Sequence, residues 1–96
     1  MSSAQHLRQL IERDTIQAPG APSALFGRLI ERCGFEAIYL SGAAFSAGTL
    51  AIPDVGLFTL SELTEHTRQL TRAVGIPVIV DADTGFGAAV NVARTV

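Results

Sequence analysis

The segment Pro77-Val78-Ile79-Val80-Asp81 restricts the possible folds of this chain more than any other part of the sequence. It is an almost unbroken run of apolar, β-branched residues, which is typical of a parallel strand that is covered on both faces. Amphipathic helical patterns come before and after it. Strands that alternate with helices predict a parallel sheet with right-handed crossovers, and therefore an α/β fold.

The order of the predicted elements is one helix followed by three strand–helix units. We predict helices at 3–13, 22–33, 59–74 and 90–96, and strands at 15–18, 37–40 and 77–81. The helix at 59–74 begins with the spacing of a capping box, formed by Thr59 and Glu62. Three strands cannot close a barrel, because a complete (β/α)₈ barrel needs about 250 residues. We therefore expect residues 1–96 to form one partial domain, the N-terminal portion of a (β/α)₈ TIM-type barrel. It would contain about three βα units plus an N-terminal helix, without the remaining strands.

Composition excludes several functional classes. The net charge is −2 and the arginines are interleaved with carboxylates, so we expect neither nucleic acid nor a membrane surface as a partner. We expect no secretory signal, because residues 1–6 lack a basic start followed by an apolar core, and no apolar run approaches the roughly 20 residues of a membrane span. The helix predicted at 22–33 has an apolar face that we expect to be buried, formed by Leu25, Phe26, Leu29, Ile30 and Cys33, so Cys33 is predicted to be a small core residue. His6 and His66 are predicted on helix surfaces. We expect a soluble, cytoplasmic protein.

Two carboxylates, Asp81 and Asp83, follow the strand predicted at 77–81. Because side chains alternate along a strand, we expect both to point the same way at the end where parallel sheets bind ligands. A divalent cation would relieve their mutual repulsion, and oxygen ligands favour Mg²⁺ or Mn²⁺ over zinc. The alternative from the pattern alone is a turn-capping aspartate beside a solvated one.

The segment Ser41-Gly42-Ala43-Ala44 also follows a predicted strand. Its small residues would let backbone N–H groups approach a substrate carboxylate, although an ordinary tight turn explains them equally well. It opens a long connection at 42–58, and long connections are often functional. In this connection Asp54 is either a turn-forming residue or part of a site. Gly85-Phe86-Gly87 is not a dinucleotide loop, because Val90 replaces the third glycine.

Four motifs occur in one order: Tyr39-Leu40-Ser41-Gly42, Ile52-Pro53-Asp54-Val55-Gly56, the segment 80–87, and Asn91-Val92-Ala93-Arg94-Thr95. This series closely resembles the isocitrate lyase and phosphoenolpyruvate mutase superfamily, and the resemblance runs from about Ile16 to Val96. Within the superfamily, the sequence is most similar to the lyases that act on 2-methylisocitrate. The resemblance implies a (β/α)₈ barrel with an extra N-terminal helix, usually assembled as a homotetramer.

The resemblance also implies roles for individual residues. Asp81 and Asp83 would bind Mg²⁺, with Mn²⁺ as a possible substitute, and Asp54 would belong to the outer shell of the metal. The substrate would be a small di- or tricarboxylate. Its α-keto-acid end would be bound by Ser41, Gly42 and Ala43. Its reacting hydroxyl would lie near Tyr39, which is a catalytic candidate.

The implied reaction is the cleavage of a carbon–carbon bond in 2-methylisocitrate, which yields pyruvate and succinate and belongs to propionate catabolism. In the family, a cysteine within a Lys-x-Cys-Gly-His loop protonates the leaving fragment, and this sequence contains no such loop. Cys33 cannot replace that cysteine, because it precedes the metal strand on a helix. We therefore expect the 96 residues to be inactive in isolation.

Other functions remain open at this point. An oxaloacetate decarboxylase, a carboxyphosphoenolpyruvate mutase or a phosphonopyruvate hydrolase of the same superfamily would share the metal site. A haloacid-dehalogenase-type phosphatase would use Asp81 as a nucleophile and Asp83 as an acid/base, but its motif normally opens the fold. The third possibility is a structural element without catalytic activity.

Overall fold

Four α-helices, one π-helix and two short strands make up the fold, which a computed structural model describes from Met1 to Val96. In chain order the elements are α1 (Ser3–Arg13), α2 (Ala24–Arg32), β1 (Ile38–Leu40), the π-helix (Ala44–Thr49), α3 (Leu60–Ala73), β2 (Val78–Val80) and α4 (Ala89–Thr95). From β1 onwards strands and helices alternate as predicted, whereas no strand separates α1 from α2. No helix combines the length and the hydrophobicity that crossing a bilayer requires.

The two strands are parallel neighbours, with Tyr39 of β1 opposite Ile79 of β2. A third segment pairs with the other edge of β1, where the N–H of Tyr39 donates to the carbonyl of Pro19 at 2.9 Å and the N–H of Ala21 donates to the carbonyl of Tyr39 at 3.1 Å. The strand predicted at 15–18 is therefore wrong in position, and only an isolated bridge forms at Gly20. Pro19 has no N–H with which to extend this ladder backwards.

The core lies on one face of this small sheet. Its buried side chains come from the segment before α2, from β1, from the connection that follows β1 and from α3, and they are Ala21, Ile38, Leu40, Phe45, Phe58, Leu63 and Leu70. The opposite face carries Tyr39 and Ile79, and Ile79 is 37% exposed. The prediction that the 77–81 strand is covered on both faces is therefore wrong for these 96 residues, because they cover only the helix side of the sheet.

Helix α2 faces the core with a different side from the one predicted. Leu25, Phe26 and Leu29 were expected to be buried, but they are 66%, 49% and 48% exposed. Ile30, which belongs to the same predicted stripe, does pack against the core. The buried position is Gly27, where an added Cβ would lie only 2.4 Å from the Cδ1 atom of Leu70. A glycine lets the two helix backbones approach closely, and this contact sets the rotation of α2.

Two further predictions about single residues are wrong. Cys33 is exposed, because α2 ends at Arg32 and the chain turns away through Gly34, whose φ is 91°. His66 is buried, with only 7% exposed, because it lies on the inner stripe of α3 together with Leu63. Its ring stacks on a neighbouring aromatic ring, and burial lowers its pKa.

The start of α3 confirms the predicted capping box. The side chain of Thr59 accepts a hydrogen bond from the N–H of Glu62 at 3.2 Å, and the carboxylate of Glu62 accepts one from the N–H of Thr59 at 3.0 Å. These bonds satisfy two of the N–H groups that a helix start leaves free.

Replacing Thr59 by alanine should therefore lower the free energy of unfolding by about 1 kcal/mol, measured by urea denaturation. Thr64→Ala is the matched control, because the Thr64 hydroxyl only donates to the carbonyl of Leu60 within the helix. An equal loss of stability in both variants would contradict the capping role of Thr59.

Candidate active site

Asp81 extends β2 by one residue, and the chain then turns sharply. The N–H of Asp81 still donates to the carbonyl of Leu40 at 3.0 Å. From Asp83 onwards the backbone repeatedly enters the left-handed region, with φ values of 51° at Asp83, 94° at Gly85, 64° at Phe86 and 146° at Gly87. Such conformations are unfavourable for residues with a side chain and concentrate at functional sites. We call residues 81–87 the carboxylate turn.

The two aspartates are joined by this turn. The N–H of Asp83 donates to the Oδ1 atom of Asp81 at 2.9 Å. Strand alternation does not relate the two carboxylates, contrary to the prediction, because β2 ends at Val80 and the backbone of Asp83 is not extended. An aspartate side chain that accepts from the backbone two residues later is a common turn device. Asp81 is half-buried and Asp83 is exposed.

Tyr39 contacts the carboxylate turn directly. Its hydroxyl donates to the Oδ2 atom of Asp81 at 3.0 Å. This bond could have been found in the sequence only with the register known, because Tyr39 lies opposite Ile79 and Asp81 is two residues further on. The hydrogen bond raises the pKa of Tyr39, and burial and the negative charge of Asp81 act in the same direction.

This interaction gives a pH-dependent prediction. The pKa of Tyr39 in the folded state is raised above the ordinary value of 10.0. The protonated hydroxyl therefore contributes to the free energy of unfolding below pH 10.0, and this contribution is lost as the pH rises through the folded-state pKa. Tyr39 is the only tyrosine and there is no tryptophan, so the ultraviolet absorbance of the phenolate reports this residue alone. We expect Asp81→Ala to bring the midpoint back towards 10.0, whereas Asp14→Ala leaves it raised. The same midpoint in wild type and Asp81→Ala would contradict the contact.

A second turn lies at the end of β1. The Oγ atom of Ser41 accepts from the N–H of Ala44 at 3.3 Å, and the carbonyl of Ser41 accepts from the N–H of Phe45 at 3.0 Å. Ser41 thus caps the π-helix, and the N–H groups of Gly42 and Ala43 donate no intramolecular hydrogen bond. Free N–H groups at the start of a helical segment suit an anion. We call residues 41–44 the anion turn.

The π-helix itself was not predicted. The connection at 42–58 was expected to be irregular, but Ala44–Thr49 forms a six-residue π-helix. Short π-helices are rare and often occur at functional sites. Its small, weakly periodic sequence carries no signal that distinguishes it from a loop.

Asp54 makes no hydrogen bond to the other candidates. It occupies an exposed turn in which the N–H of Val55 donates to the carbonyl of Pro53 at 3.0 Å, and no hydrogen bond joins it to Asp81 or Asp83. No group of three or more histidine, cysteine or acidic side chains comes together in the chain. The two aspartates still suit Mg²⁺, which binds proteins through one or two carboxylates and keeps several water ligands.

The sequence and the fold of this chain are similar to those of several known proteins. The sequence profile of the phosphoenolpyruvate phosphomutase family matches residues 7–96. The 2-methylisocitrate lyase of Aeropyrum pernix is 62% identical over 91 residues, which cover 94% of this chain and 29% of that protein. The structure of a phosphoenolpyruvate phosphomutase from Streptomyces platensis subsp. rosaceus has a TM-score of 0.89 and 40% identity, and covers 99% of this chain and 33% of that one.

A phosphonopyruvate hydrolase, whose structure was solved with oxalate and Mg²⁺, has a TM-score of 0.86 and 35% identity over 98% of this chain and 33% of its own. The chain thus spans about a third of the length of the relatives it matches. Its fold is the N-terminal portion of their (β/α)₈ barrel, as the sequence predicts. The profile match over almost the whole chain and the similarity to these structures lead to one conclusion: the chain belongs to the phosphoenolpyruvate phosphomutase family, within the isocitrate lyase and phosphoenolpyruvate mutase superfamily.

Proposed function

We propose that this chain provides the metal-binding strand and part of the substrate pocket of a Mg²⁺-dependent carbon–carbon lyase that cleaves 2-methylisocitrate to pyruvate and succinate. One observation carries the proposal. The carboxylate turn with Asp81 lies beside the strand that ends in the anion turn, and Tyr39 connects the two strands by its hydrogen bond to Asp81. Carboxylates and free N–H groups therefore occur together at the C-terminal ends of two parallel strands, where such folds bind ligands.

The aspartates would hold the metal. In the proposal, Asp81 and Asp83 bind Mg²⁺, or Mn²⁺ in its place, and Asp54 acts from the outer shell. When bound, the ion supplies Lewis-acid polarisation of the substrate hydroxyl and carboxylate. Each oxygen of Asp81 already accepts one hydrogen bond, from Tyr39 or from the Asp83 N–H, and keeps a further acceptor position. The two bonds fix the orientation of this carboxylate.

The substrate would be held from the neighbouring strand. The free N–H groups of Gly42 and Ala43, with the hydroxyl of Ser41, would bind the carboxylate at the end of the substrate that becomes pyruvate. Tyr39 lies on the face of the sheet opposite the core and would lie near the substrate hydroxyl that loses its proton.

Cleavage needs a base that removes the hydroxyl proton and an acid that protonates the succinate carbanion once the carbon–carbon bond has broken. Cys33 does not provide this acid. It follows α2 and precedes β1, so it lies at the opposite end of the sheet from Ser41 and Asp81. We propose that the acid belongs to the remainder of a complete barrel. That barrel would act on a small di- or tricarboxylate in propionate catabolism, as a cytoplasmic homotetramer.

A second candidate is hydrolysis of phosphonopyruvate, which the similarity to the hydrolase structure with oxalate and Mg²⁺ favours. An oxaloacetate decarboxylase or a carboxyphosphoenolpyruvate mutase would use the same metal site. The phosphatase alternative receives no support from the family match, which covers residues 7–96.

A chimaeric enzyme tests the proposal. The aligned 91 residues of this chain would replace their counterpart in the Aeropyrum pernix lyase, to which they are 62% identical. We expect this chimaera to convert 2-methylisocitrate into equal amounts of pyruvate and succinate with Mg²⁺, and its Asp81→Asn variant to be inactive. A folded chimaera that is inactive, or that prefers phosphonopyruvate or oxaloacetate, would contradict the proposed reaction.

A further inference from the structure

A row of three aromatic rings lies beneath the two turns of the candidate site. The ring of Phe58 meets that of Phe45 edge-to-face, with centroids 4.9 Å apart, and it meets that of Phe86 at a tilt of 54°, with centroids 5.7 Å apart. Phe58 is the central ring and is only 6% exposed. Because aromatic pairs at these distances attract each other and exclude water, the row is a packed unit.

One end of the row adjoins the anion turn. Phe45 is the second residue of the π-helix, and its N–H donates to the carbonyl of Ser41 at 3.0 Å. Phe58 also lies under the backbone of this turn, because a Cβ added to Gly42 would be 3.6 Å from its Cζ atom. The position of the Gly42 backbone therefore depends on the ring of Phe58.

The other end belongs to the carboxylate turn. Phe86 lies three residues after Asp83, and both have left-handed backbones, with φ values of 64° and 51°. Residues other than glycine keep this unfavourable conformation only where the surrounding structure holds it. The packing of Phe86 on the buried ring of Phe58 is a contact that can do so.

We infer that Phe58 is a positioning residue that holds the carboxylate turn and the anion turn in their relative positions. It touches neither metal nor substrate and acts through Phe86 and Gly42. The inference rests on the proposed function where Mg²⁺ is the probe. It has a second readout that needs no metal, which is the hydrogen bond between the Asp83 N–H and Asp81.

The experiment compares Phe58→Leu, which keeps an apolar side chain but removes the ring, with Phe58→Ala. Leu63→Ala is the control, because Leu63 is a buried member of the same core, with 3% exposed. The two measurements are Mg²⁺ affinity by calorimetry and amide hydrogen exchange by NMR. The exchange rate of Asp83 is taken relative to amides of β1, so that a general loss of stability cancels.

In Phe58→Leu we expect Mg²⁺ affinity to fall by about 10-fold, the size typical of residues that support metal ligands. We expect the relative exchange of the Asp83 amide to rise in both Phe58 variants and to stay unchanged in Leu63→Ala. If the relative exchange rate of the Asp83 amide in Phe58→Leu equals that in the wild type, the inference is overturned. Absence of Mg²⁺ binding to the wild-type chain would instead contradict the proposed metal site, and the exchange measurement would still decide the role of Phe58.

Discussion

Replacement of Asp81 by asparagine is expected to lower the Mg²⁺ affinity of the chain by roughly 100-fold or more, since even residues behind a metal ligand typically contribute 10- to 100-fold. The substitution keeps the shape of the side chain but removes its charge. Asp81 is the half-buried member of the pair, and the hydroxyl of Tyr39 and the N–H of Asp83 orient its carboxylate. Calorimetric titration of the wild type and the variant measures the difference.

The control for this prediction is Asp14→Asn. Asp14 is an exposed aspartate at the end of α1, and its carboxylate accepts a hydrogen bond from the N–H of Thr15 at 2.7 Å. It thus resembles Asp81 in chemistry but lies outside the sheet edge. Equal Mg²⁺ affinity in wild type, Asp81→Asn and Asp83→Asn would contradict the metal site, and an equal loss in Asp14→Asn would show that the measured binding is nonspecific.

The second large effect concerns the contact between α2 and α3. Leu70→Ala should lower the free energy of unfolding by about 2–5 kcal/mol, because it removes a fully buried side chain and leaves a cavity. Leu70 fills the space above Gly27, where an added Cβ would be 2.4 Å away. Only 14 of the 96 residues are buried, so no large remaining core compensates for the loss. Urea denaturation followed by circular dichroism gives the value.

Leu25→Ala is the matched control for this substitution. Leu25 belongs to the stripe that the sequence predicts as buried, but it is 66% exposed in the structure. A surface substitution of this kind should change stability by no more than about 0.5 kcal/mol. The opposite ranking, with Leu25→Ala the more destabilising of the two, would show that α2 packs with its predicted face rather than with Gly27.

The parts of the fold that the sequence predicted well are those set by local chemistry. The bounds of α1 were predicted without error, and the capping box of Thr59 and Glu62 placed the start of α3. The strand that leads to Asp81 was recognised by its β-branched residues, and its parallel pairing with β1 follows from the helix between them. These features depend on neighbours along the chain.

The errors arose where distant residues decide the outcome. The apolar residues of α2 gave a clear stripe, yet the close approach at Gly27 leaves Leu25, Phe26 and Leu29 exposed. His66 looked like a surface residue until the π-helix placed Phe45 against it, with ring centroids 4.5 Å apart. A pattern within one helix does not contain the position of its partner.

The candidate site shows the same division. Its residue types and order were enough to predict Asp81 and Asp83 as a carboxylate pair, and Ser41 and Gly42 as an anion turn. The geometry that joins them was not predictable, because the bond from Tyr39 to Asp81 depends on strand register and the left-handed backbone at Asp83 depends on packing. Their function as a metal and substrate site stays a prediction.

The position of a bound metal ion tests most directly whether Asp81 and Asp83 form the metal site. Mn²⁺ suits the same oxygen ligands as Mg²⁺ and broadens the NMR signals of nearby amides. We expect substoichiometric Mn²⁺ to broaden the amide signals of residues 81–84 and of 39–43 first, and Mg²⁺ to restore them. Broadening centred on the exposed acidic pair Glu62 and Glu65 of α3, with the signals of Asp81 and Asp83 unchanged, would contradict this metal site.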